Sequence, residues 1–428
     1  MGKRAARLWV SAALALVVIA SSAQSVHAQE PGQLDTTFAG DGVKRLDFGR
    51  TDYALSAFVD DRGALTIGGA ASLPLPDRVA AARLRPNGRI DTTFGDDGKT
   101  TIRPGADGTY VAAWASDSFG RLLVLGGRET SQFANNAFYL MRLTRNGRLD
   151  MRFGDDGLVN GRLGSGFNEM QDVLALPTGR ILILGSVDGS SIVKAYSAHG
   201  AHDRAFGTNG EIRIAGLRAA ALLYQPSGRI LIVGARTQRR LTVDGLTPSG
   251  QTDEAFGVNG RATVSISGST GSVFVPPGAA ALSANGEIVV GAELESNFEL
   301  DTIVATFKPD GRVNRAFGDG KGWRRFNLGA ADGPNAIVPL QDGRLVVVGD
   351  IANDLFGDDP SSDLFLLGLK ADGRRWRSFG SDGLVRTDFG NADDAVFAFD
   401  ARLVSGRLVV VGGSRDNMLV ARFFLSTN

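Results

Sequence analysis

The sequence predicts an all-β fold, a seven-bladed β-propeller built from four-stranded antiparallel blades. One phrase of sequence recurs seven times along the 428 residues, and short apolar runs separated by turn residues fill the space between its copies. Such self-similarity is typical of repeat architectures. The chain also has 57 glycines but only 14 prolines, which favours many tight turns over disorder.

The recurring phrase places an Asp three residues before a Phe-Gly pair, as in DTTFGDDG around Phe94 and DMRFGDDG around Phe153. In the first copy Ala39 replaces the first Gly. We expect the Asp to accept backbone hydrogen bonds and the Phe to pack between neighbouring blades. The structural Phe residues of the seven copies are Phe38, Phe94, Phe153, Phe206, Phe256, Phe317 and Phe379.

Each unit contains runs of four to eight residues rich in Val, Ile and Leu. Examples are GRLLVLGG from Gly120 and the run before the Pro-Asp-Gly turn that ends at Gly311. Runs of this length bounded by Gly, Asn and Asp predict strands rather than helices. Asn-Gly and Asp-Gly supply the positive φ of tight hairpins. Four strands follow for each unit, and in the first unit we place them at about residues 42–48, 53–59, 65–69 and 79–85.

Radial closure suits consecutive small sheets because a ring buries both faces of every sheet and leaves only short edges. Small residues such as those at 219–221 suit strands at the crowded axis, and charged strands such as the one with Arg324 suit the outer edge. The strand near Val43 is then expected to complete the last blade beside the strand at 419–425. A linear solenoid would need distinct capping ends, and none is visible.

The phrases resemble the delta-60 repeat family, a bacterial β-propeller family whose repeats read much like LDTTFGxDG followed by a DGRILVVG segment. The resemblance covers essentially residues 33 to 425, and the units depart from it at Asn314 and Trp376, where the phrase usually has Asp. The resemblance implies a propeller fold. It implies no catalytic residues, because the family has no established activity.

Residues 1–28 have the pattern of a secretory signal peptide, with Lys3, Arg4 and Arg7 before a short apolar run and small residues ending at Ala28. We therefore predict a single propeller domain over residues 29–428, exported to the periplasm or the medium, without stable membrane insertion. Lys and Arg together equal Asp and Glu at 46 each, so no basic field favours nucleic acid. The absence of cysteine excludes disulfides and thiolate chemistry. A monomer is expected.

Two groups of residues could suggest metal chemistry. Acidic turns such as the one with Asp96 and Asp97 carry too few carboxylates for calcium, and Asn209 stands at the same place in another unit. His199 and His202 are three residues apart beside an Asp, but His199 aligns with turn residues of other units. The sequence therefore predicts no metal site, no cofactor and no catalytic residues.

The loops between the third and fourth strands of the units, in sequence order, vary widely, whereas the loops on the opposite face are nearly constant. Variable loops on a rigid scaffold are a common place for recognition. The residues assigned to this site are Arg236, Arg239, Arg240, Glu293, Glu295, Asp354, Asp358 and Asp359. The leading hypothesis is a secreted, non-catalytic scaffold that binds an unknown protein or a cell-surface polysaccharide. The alternative is a propeller hydrolase or lyase that acts on carbohydrate.

Overall fold

The computed structural model describes residues 30–72, 77–105, 108–129, 135–166, 168–237, 239–267, 271–296, 299–329, 331–352, 362–389, 396–414 and 416–425. These residues form short antiparallel strands joined by tight turns, as the glycine-bounded apolar runs predict. Across these ranges, no helix is both long enough and apolar enough to cross a membrane.

Five of the sheets are four-stranded antiparallel blades. The first four contain, in order, β2 (Asp52–Val59), β3 (Leu65–Ala71), β4 (Arg78–Leu84) and β5 (Lys99–Ile102); β6 (Thr109–Ser116), β7 (Leu122–Glu129), β8 (Asn135–Leu143) and β9 (Leu158–Gly161); β10 (Asn168–Ala175), β11 (Ile181–Val187), β12 (Ser190–Tyr196) and β13 (Glu211–Ala215); and β14 (Arg218–Tyr224), β15 (Ile230–Arg236), β16 (Arg240–Leu246) and β17 (Arg261–Ser265).

The fifth blade joins the two ends of the chain. It contains β1 (Val43–Leu46), β27 (Val396–Val404), β28 (Arg407–Ser414) and β29 (Asn417–Phe424) in the spatial order β1-β29-β28-β27. The strand near Val43 pairs with β29 in antiparallel register, with Val43 opposite Ala421, which is the pairing that the sequence predicted. The N-terminal strand therefore becomes the outer strand of a sheet whose other members come last in the chain.

The remaining strands form one nine-stranded sheet, so the prediction of seven four-stranded blades is wrong. This sheet contains β18 (Ser272–Phe274), β19 (Ala280–Leu282), β20 (Ile288–Ser296), β21 (Glu299–Phe307), β22 (Trp323–Phe326), β23 (Ala331–Pro339), β24 (Leu345–Ala352), β25 (Ser362–Leu369) and β26 (Leu384–Thr387). A parallel pairing of Leu300 with Ala331 joins its two halves. The hairpin of β20 and β21 is long, with nine residues of each strand paired. On its other side, β21 pairs with β22 only from Thr302 onward, so the residues of β21 before Thr302 are left to pair with the start of β23.

The sheets stand around a common axis. The inner strands contact one another from sheet to sheet: β2 contacts β6, β6 contacts β10, β10 contacts β14, and β14 contacts β19 of the nine-stranded sheet. In that sheet β19 contacts β23, β23 contacts β27, and β27 contacts β2, so the ring is closed. Most of these inner strands carry a β-bulge, for example between Met170 and Asp172. The buried hydrophobic clusters lie between neighbouring repeat units: Phe94 and Val79 of one unit pack with Trp114 and Tyr139 of the next. Packing between units therefore provides the core.

The repeated phrase forms the same contact at each unit boundary. Each structural Phe is buried, with 0 or 1% exposure. The residue after it donates its backbone N–H to a carbonyl in a turn of the next unit, as Gly207 does to Ser249 at 2.8 Å. The corresponding pairs are Ala39 to Asn87, Gly95 to Asn146, Gly154 to His199, Gly257 to Asp310, Gly318 to Asp372 and Gly380 to Pro31. The last pair closes the ring.

Candidate functional site

The hairpins between the second and third strands of each sheet, counted from the axis, lie on one face of the ring, together with the starts of the inner strands. We call this side the variable face, because it carries the loops whose sequences differ most. The opposite side, which carries the short turns into the second strands and the repeated phrases, is the constant face. A chain that alternates in direction within each sheet must separate its loops in this way.

The predicted basic residues lie at the tip of one hairpin of the variable face, but they do not act alike. Arg236 ends β15 and donates from Nη2 to Asp244 Oδ2 at 2.7 Å and from Nη1 to the carbonyl of Ala215 at 2.7 Å. Asp244 also binds Arg261, at 2.6 Å. Arg236 is therefore part of the structure of its own blade, whereas Arg240, opposite it in register, is exposed.

The predicted acidic residues of the next unit lie on β20. Glu293 is opposite Phe274 and Glu295 is opposite Ser272 in the register with β18. Glu295 is exposed and Glu293 is half-buried, with its carboxylate against Gly333 of the following unit. Burial raises the pKa of Glu293, and the negative charge of Asp332 raises it further. Asp354, Asp358 and Asp359 lie outside the described residues.

Sequence reasoning missed an aromatic residue at this place. Phe274, the last residue of the short strand β18, is 41% exposed, and the guanidinium of Arg218 lies over its ring at 5.5 Å from the centroid. Arg218 itself begins the inner strand of the neighbouring blade and is exposed. The variable face therefore brings together an aromatic ring, a guanidinium and the carboxylates of β20. No single sequence motif could indicate a pair that the ring assembles from two units.

Two further carboxylates lie behind Glu293. Asp350 accepts a hydrogen bond from Asn335 Nδ2 at 2.6 Å and from the backbone N–H of Ala398 at 2.8 Å. Burial raises its pKa to about 7, and the charge of Glu293 contributes to the rise. Asp332 accepts the backbone N–H groups of Thr302 and Leu328, and burial raises its pKa as well. These two carboxylates thus hold neighbouring units together. In the sequence, Asp350 could have been recognised as a carboxylate that stands directly after the apolar run GRLVVVG.

The bulges of the inner strands use two other carboxylates in the same way. Asp172 accepts the N–H of Leu222 in the next blade at 2.7 Å and that of Val173 at 2.8 Å. Burial raises its pKa to about 7. Asp400 accepts the N–H of Ala57 at 3.1 Å, which links the last blade to the first. A raised pKa at these positions has a structural origin, because both carboxylates satisfy backbone donors between blades.

His199 and His202 make contacts that belong to the fold. The carbonyl of His199 accepts the N–H of Gly154 at 2.8 Å, and the ring of His202 lies 5.7 Å from that of Tyr196. Asp203, the neighbouring acid, is bound by Arg180 at 2.7 Å. Within the described ranges, no three His, Asp or Glu side chains are grouped so that they could hold a metal ion.

Comparison with known sequences supports a β-propeller family. Residues 120–153 match the sequence model of a family described as "domain of unknown function (DUF5122) beta-propeller". This segment runs from the turn before β7 to the structural Phe153, so it covers β7, β8 and the repeated phrase, which are part of one repeat unit. Among curated proteins, no sequence matches the chain significantly.

Several solved structures resemble the chain at low identity. A catalytically inactive virginiamycin B lyase from Staphylococcus aureus, in complex with quinupristin, has a TM-score of 0.46 and 9% identity, with 88% of this chain and 98% of that chain covered. A protein of unknown function from Bacteroides caccae has a TM-score of 0.41 and 16% identity, with coverage of 72% and 90%. Sqt1 from Chaetomium thermophilum has a TM-score of 0.41 and 12% identity, with coverage of 89% and 99%.

Proposed function

We propose that this chain is an exported, non-catalytic binding scaffold whose variable face binds a protein partner near the axis of the ring. The observation that carries the proposal is the exposed Phe274 with the guanidinium of Arg218 over its ring. Aromatic residues and arginines are enriched at the centres of protein interfaces, where they contribute most of the binding energy.

The surroundings of this pair suit a partner with charges of both signs. Glu293 and Glu295 follow one side of the pair, and Arg239 and Arg240 stand on the hairpin of the preceding blade. Charges at the rim of an interface mainly set the association rate and the choice of partner.

A matched pair on the opposite face provides the control. Phe119 is 72% exposed on the constant face, with the guanidinium of Arg121 over its ring at 5.0 Å. The full exported chain, immobilised, is incubated with a native envelope extract, and bound proteins are quantified for wild type, Phe274→Ala and Phe119→Ala. We expect at least one bound protein to be lost with Phe274→Ala and kept with Phe119→Ala. Equal retention by both variants would refute the proposal.

A surface polysaccharide is the other kind of partner, since an exposed ring can also stack on a sugar. The same variants separate the two cases, because the extract can be treated with protease before capture. Protease treatment should abolish binding that depends on Phe274. Binding that survives it and still requires Phe274 would replace the protein partner with a glycan.

The second candidate function is a hydrolase or lyase that acts on carbohydrate, and Glu293 is the observation in its favour. This half-buried carboxylate has a raised pKa and lies at the inner end of the variable face. A general acid needs such a pKa. Activity on a polysaccharide panel that is lost in Glu293→Gln but kept in Glu254→Gln would favour the enzyme; no turnover of any substrate favours the scaffold.

A further inference from the structure

The repeated phrase holds a guanidinium at most unit boundaries. In the Phe256 unit, Arg229 Nε binds Asp253 at 2.7 Å, its guanidinium lies over the ring of Phe256 at 5.1 Å, and its Nη1 donates to the carbonyl of Pro309 in the next unit at 3.2 Å. The arginine thus has an anion, an aromatic face and a carbonyl of the neighbouring unit as partners. We call this arrangement the arginine clasp.

The arginine of the clasp comes from one of two sequence positions. With strands counted from the axis, the arginine of some units lies on the third strand, five residues before the glycine of the turn that follows this strand. In other units the arginine directly follows the glycine of the turn before the second strand. Arg83 over Phe94, Arg142 over Phe153 and Arg422 over Phe38 are of the first kind; Arg180 over Phe206 and Arg229 over Phe256 are of the second. Arg344 has the second position in the Phe379 unit, but its guanidinium lies over Trp376 and binds Asp342.

The Phe317 unit has an arginine at neither position. Thr306 stands at the third-strand position and Glu287 follows the turn glycine Gly286. The rest of the arrangement is kept: Phe317 is buried, and Gly318 donates to the carbonyl of Asp372 in the next unit at 3.0 Å. Across the described ranges, no guanidinium or ammonium group lies over the ring of Phe317.

A cavity of about 290 Å³ occupies this place on the constant face. Its lining includes Phe317, Thr306, Glu287, Asn314 and Ala371. Ala371 has the same position in its turn as Pro309, whose carbonyl accepts a hydrogen bond from the clasp arginine of the preceding unit. The hydroxyl of Thr306, a residue that is 3% exposed, has no hydrogen-bond partner. A buried hydroxyl without a partner is uncommon in proteins and indicates that a polar group belongs beside it.

The charge of the cavity favours a cation. Glu287 accepts one hydrogen bond, from Asn314 Nδ2 at 3.1 Å, and a carboxylate can accept several more. Arg344 also lines the cavity, but its guanidinium is bound by Asp342 at 2.6 Å and lies 3.8 Å from the centre of the Trp376 ring. The carboxylate of Glu287 is therefore not neutralised by that arginine.

We propose that this cavity binds the guanidinium group of a ligand, namely an arginine side chain presented by another molecule. The ligand would take the place of the missing clasp arginine, with its charge on Glu287, a donor to the Thr306 hydroxyl and its plane against Phe317. A planar fork of donors fits this set better than an ammonium, which is a compact point charge. The site lies on the constant face, so it does not depend on the function proposed for the variable face.

Small ligands test the site directly. N-acetylarginine amide, the citrulline analogue, which is neutral but of similar shape, and N-acetyllysine amide are titrated into the full exported chain and followed by ligand-observed NMR and calorimetry. We expect a dissociation constant on the order of millimolar for the arginine compound. We expect binding at least about tenfold weaker for citrulline, because hydrogen bonds to a charged group are stronger. Equal binding of the two compounds, or none by the arginine compound, would overturn the proposal.

Variants locate the site. Thr306→Arg restores the arginine found in three other units, so it should fill the cavity, abolish binding and raise the melting temperature. Glu287→Gln should weaken binding about tenfold, while Glu254→Gln, an exposed acid of the preceding unit, should leave it unchanged. Undiminished binding by Thr306→Arg or by Glu287→Gln would place the ligand elsewhere and overturn the assignment. An arginine-containing peptide that binds no better than the amide identifies the guanidinium as the group recognised.

Discussion

The guanidinium of Arg142 lies 4.5 Å from the centre of the ring of Phe153, and the two residues are almost completely buried together. The same arginine binds Asp150 at 2.8 Å and donates to the carbonyl of Ala198 in the next blade. A buried arginine must have its charge and its donors satisfied, and this one is satisfied by residues from two blades. Each clasp therefore connects the interior of one unit to the edge of the next.

Loss of the Arg142 clasp is expected to destabilise the protein strongly. Arg142→Met would leave the mostly buried carboxylate of Asp150 without its cation, which should cost about 2–4 kcal/mol in the free energy of unfolding. Urea denaturation followed by fluorescence measures the change. Arg312→Met is the control: its pair with Asp310 is largely exposed, so the change should stay below about 1 kcal/mol. Similar losses for the two variants would contradict this account of the clasp.

Close contact between a turn and the structural Phe of the preceding unit predicts a penalty at Gly250. Its φ is +83°, and an added Cβ would lie 2.8 Å from the ring of Phe206. Gly250→Ala therefore introduces both backbone strain and a clash, which together should lower the free energy of unfolding by about 2–4 kcal/mol. Gly189→Ala, at a φ of +74° with open space around it, should cost only about 1–2 kcal/mol. The difference in denaturation midpoints measures the contact alone, and equal midpoints would show that Phe206 does not press on this turn.

The inner carboxylates predict that stability falls as the pH rises. Asp172 and Asp350 have pKa values of about 7 in the folded chain, above the ordinary value of 3.8. Between about pH 4 and 7 the folded chain therefore binds more protons than the unfolded chain, and the free energy of unfolding decreases through this window. The melting temperature should be higher at pH 5 than at pH 8. Asp172→Asn should flatten this dependence, and an unchanged slope in that variant would count against the assignment.

Much of the architecture could be predicted from the sequence because it is local. The turns need Gly at positive φ, and the apolar runs between them identify the strands with an error of one to three residues in the first unit. The structural Phe residues are buried where the phrase places them. The error in the number of four-stranded blades arose where the long β20–β21 hairpin meets β23, since a single pairing of Leu300 with Ala331 is not encoded by any motif.

The candidate site was less predictable because it is assembled from different units. Arg218 and Phe274 lie on the inner strands of two neighbouring units, and the packing of these units side by side places the guanidinium over the ring. Arg236 was assigned to recognition on the basis of its loop, but its guanidinium is held by Asp244 inside the blade. The empty clasp at Thr306 could have been found by aligning the arginines of the units once their role was known.

Ring closure through the N-terminal strand is the central claim, and an engineered cross-link tests it most directly. Lys44 lies opposite Val420 in the pairing of β1 with β29, and opposite residues of antiparallel strands are close enough for a disulfide. The natural chain has no cysteine, so Lys44→Cys with Val420→Cys introduces only this pair. We predict an intramolecular disulfide after mild oxidation, seen as a faster-migrating monomer on a non-reducing gel and as a linked peptide by mass spectrometry, whereas Lys44→Cys with Val193→Cys gives none. A monomer that forms no cross-link, or only intermolecular dimers, would contradict the closed ring.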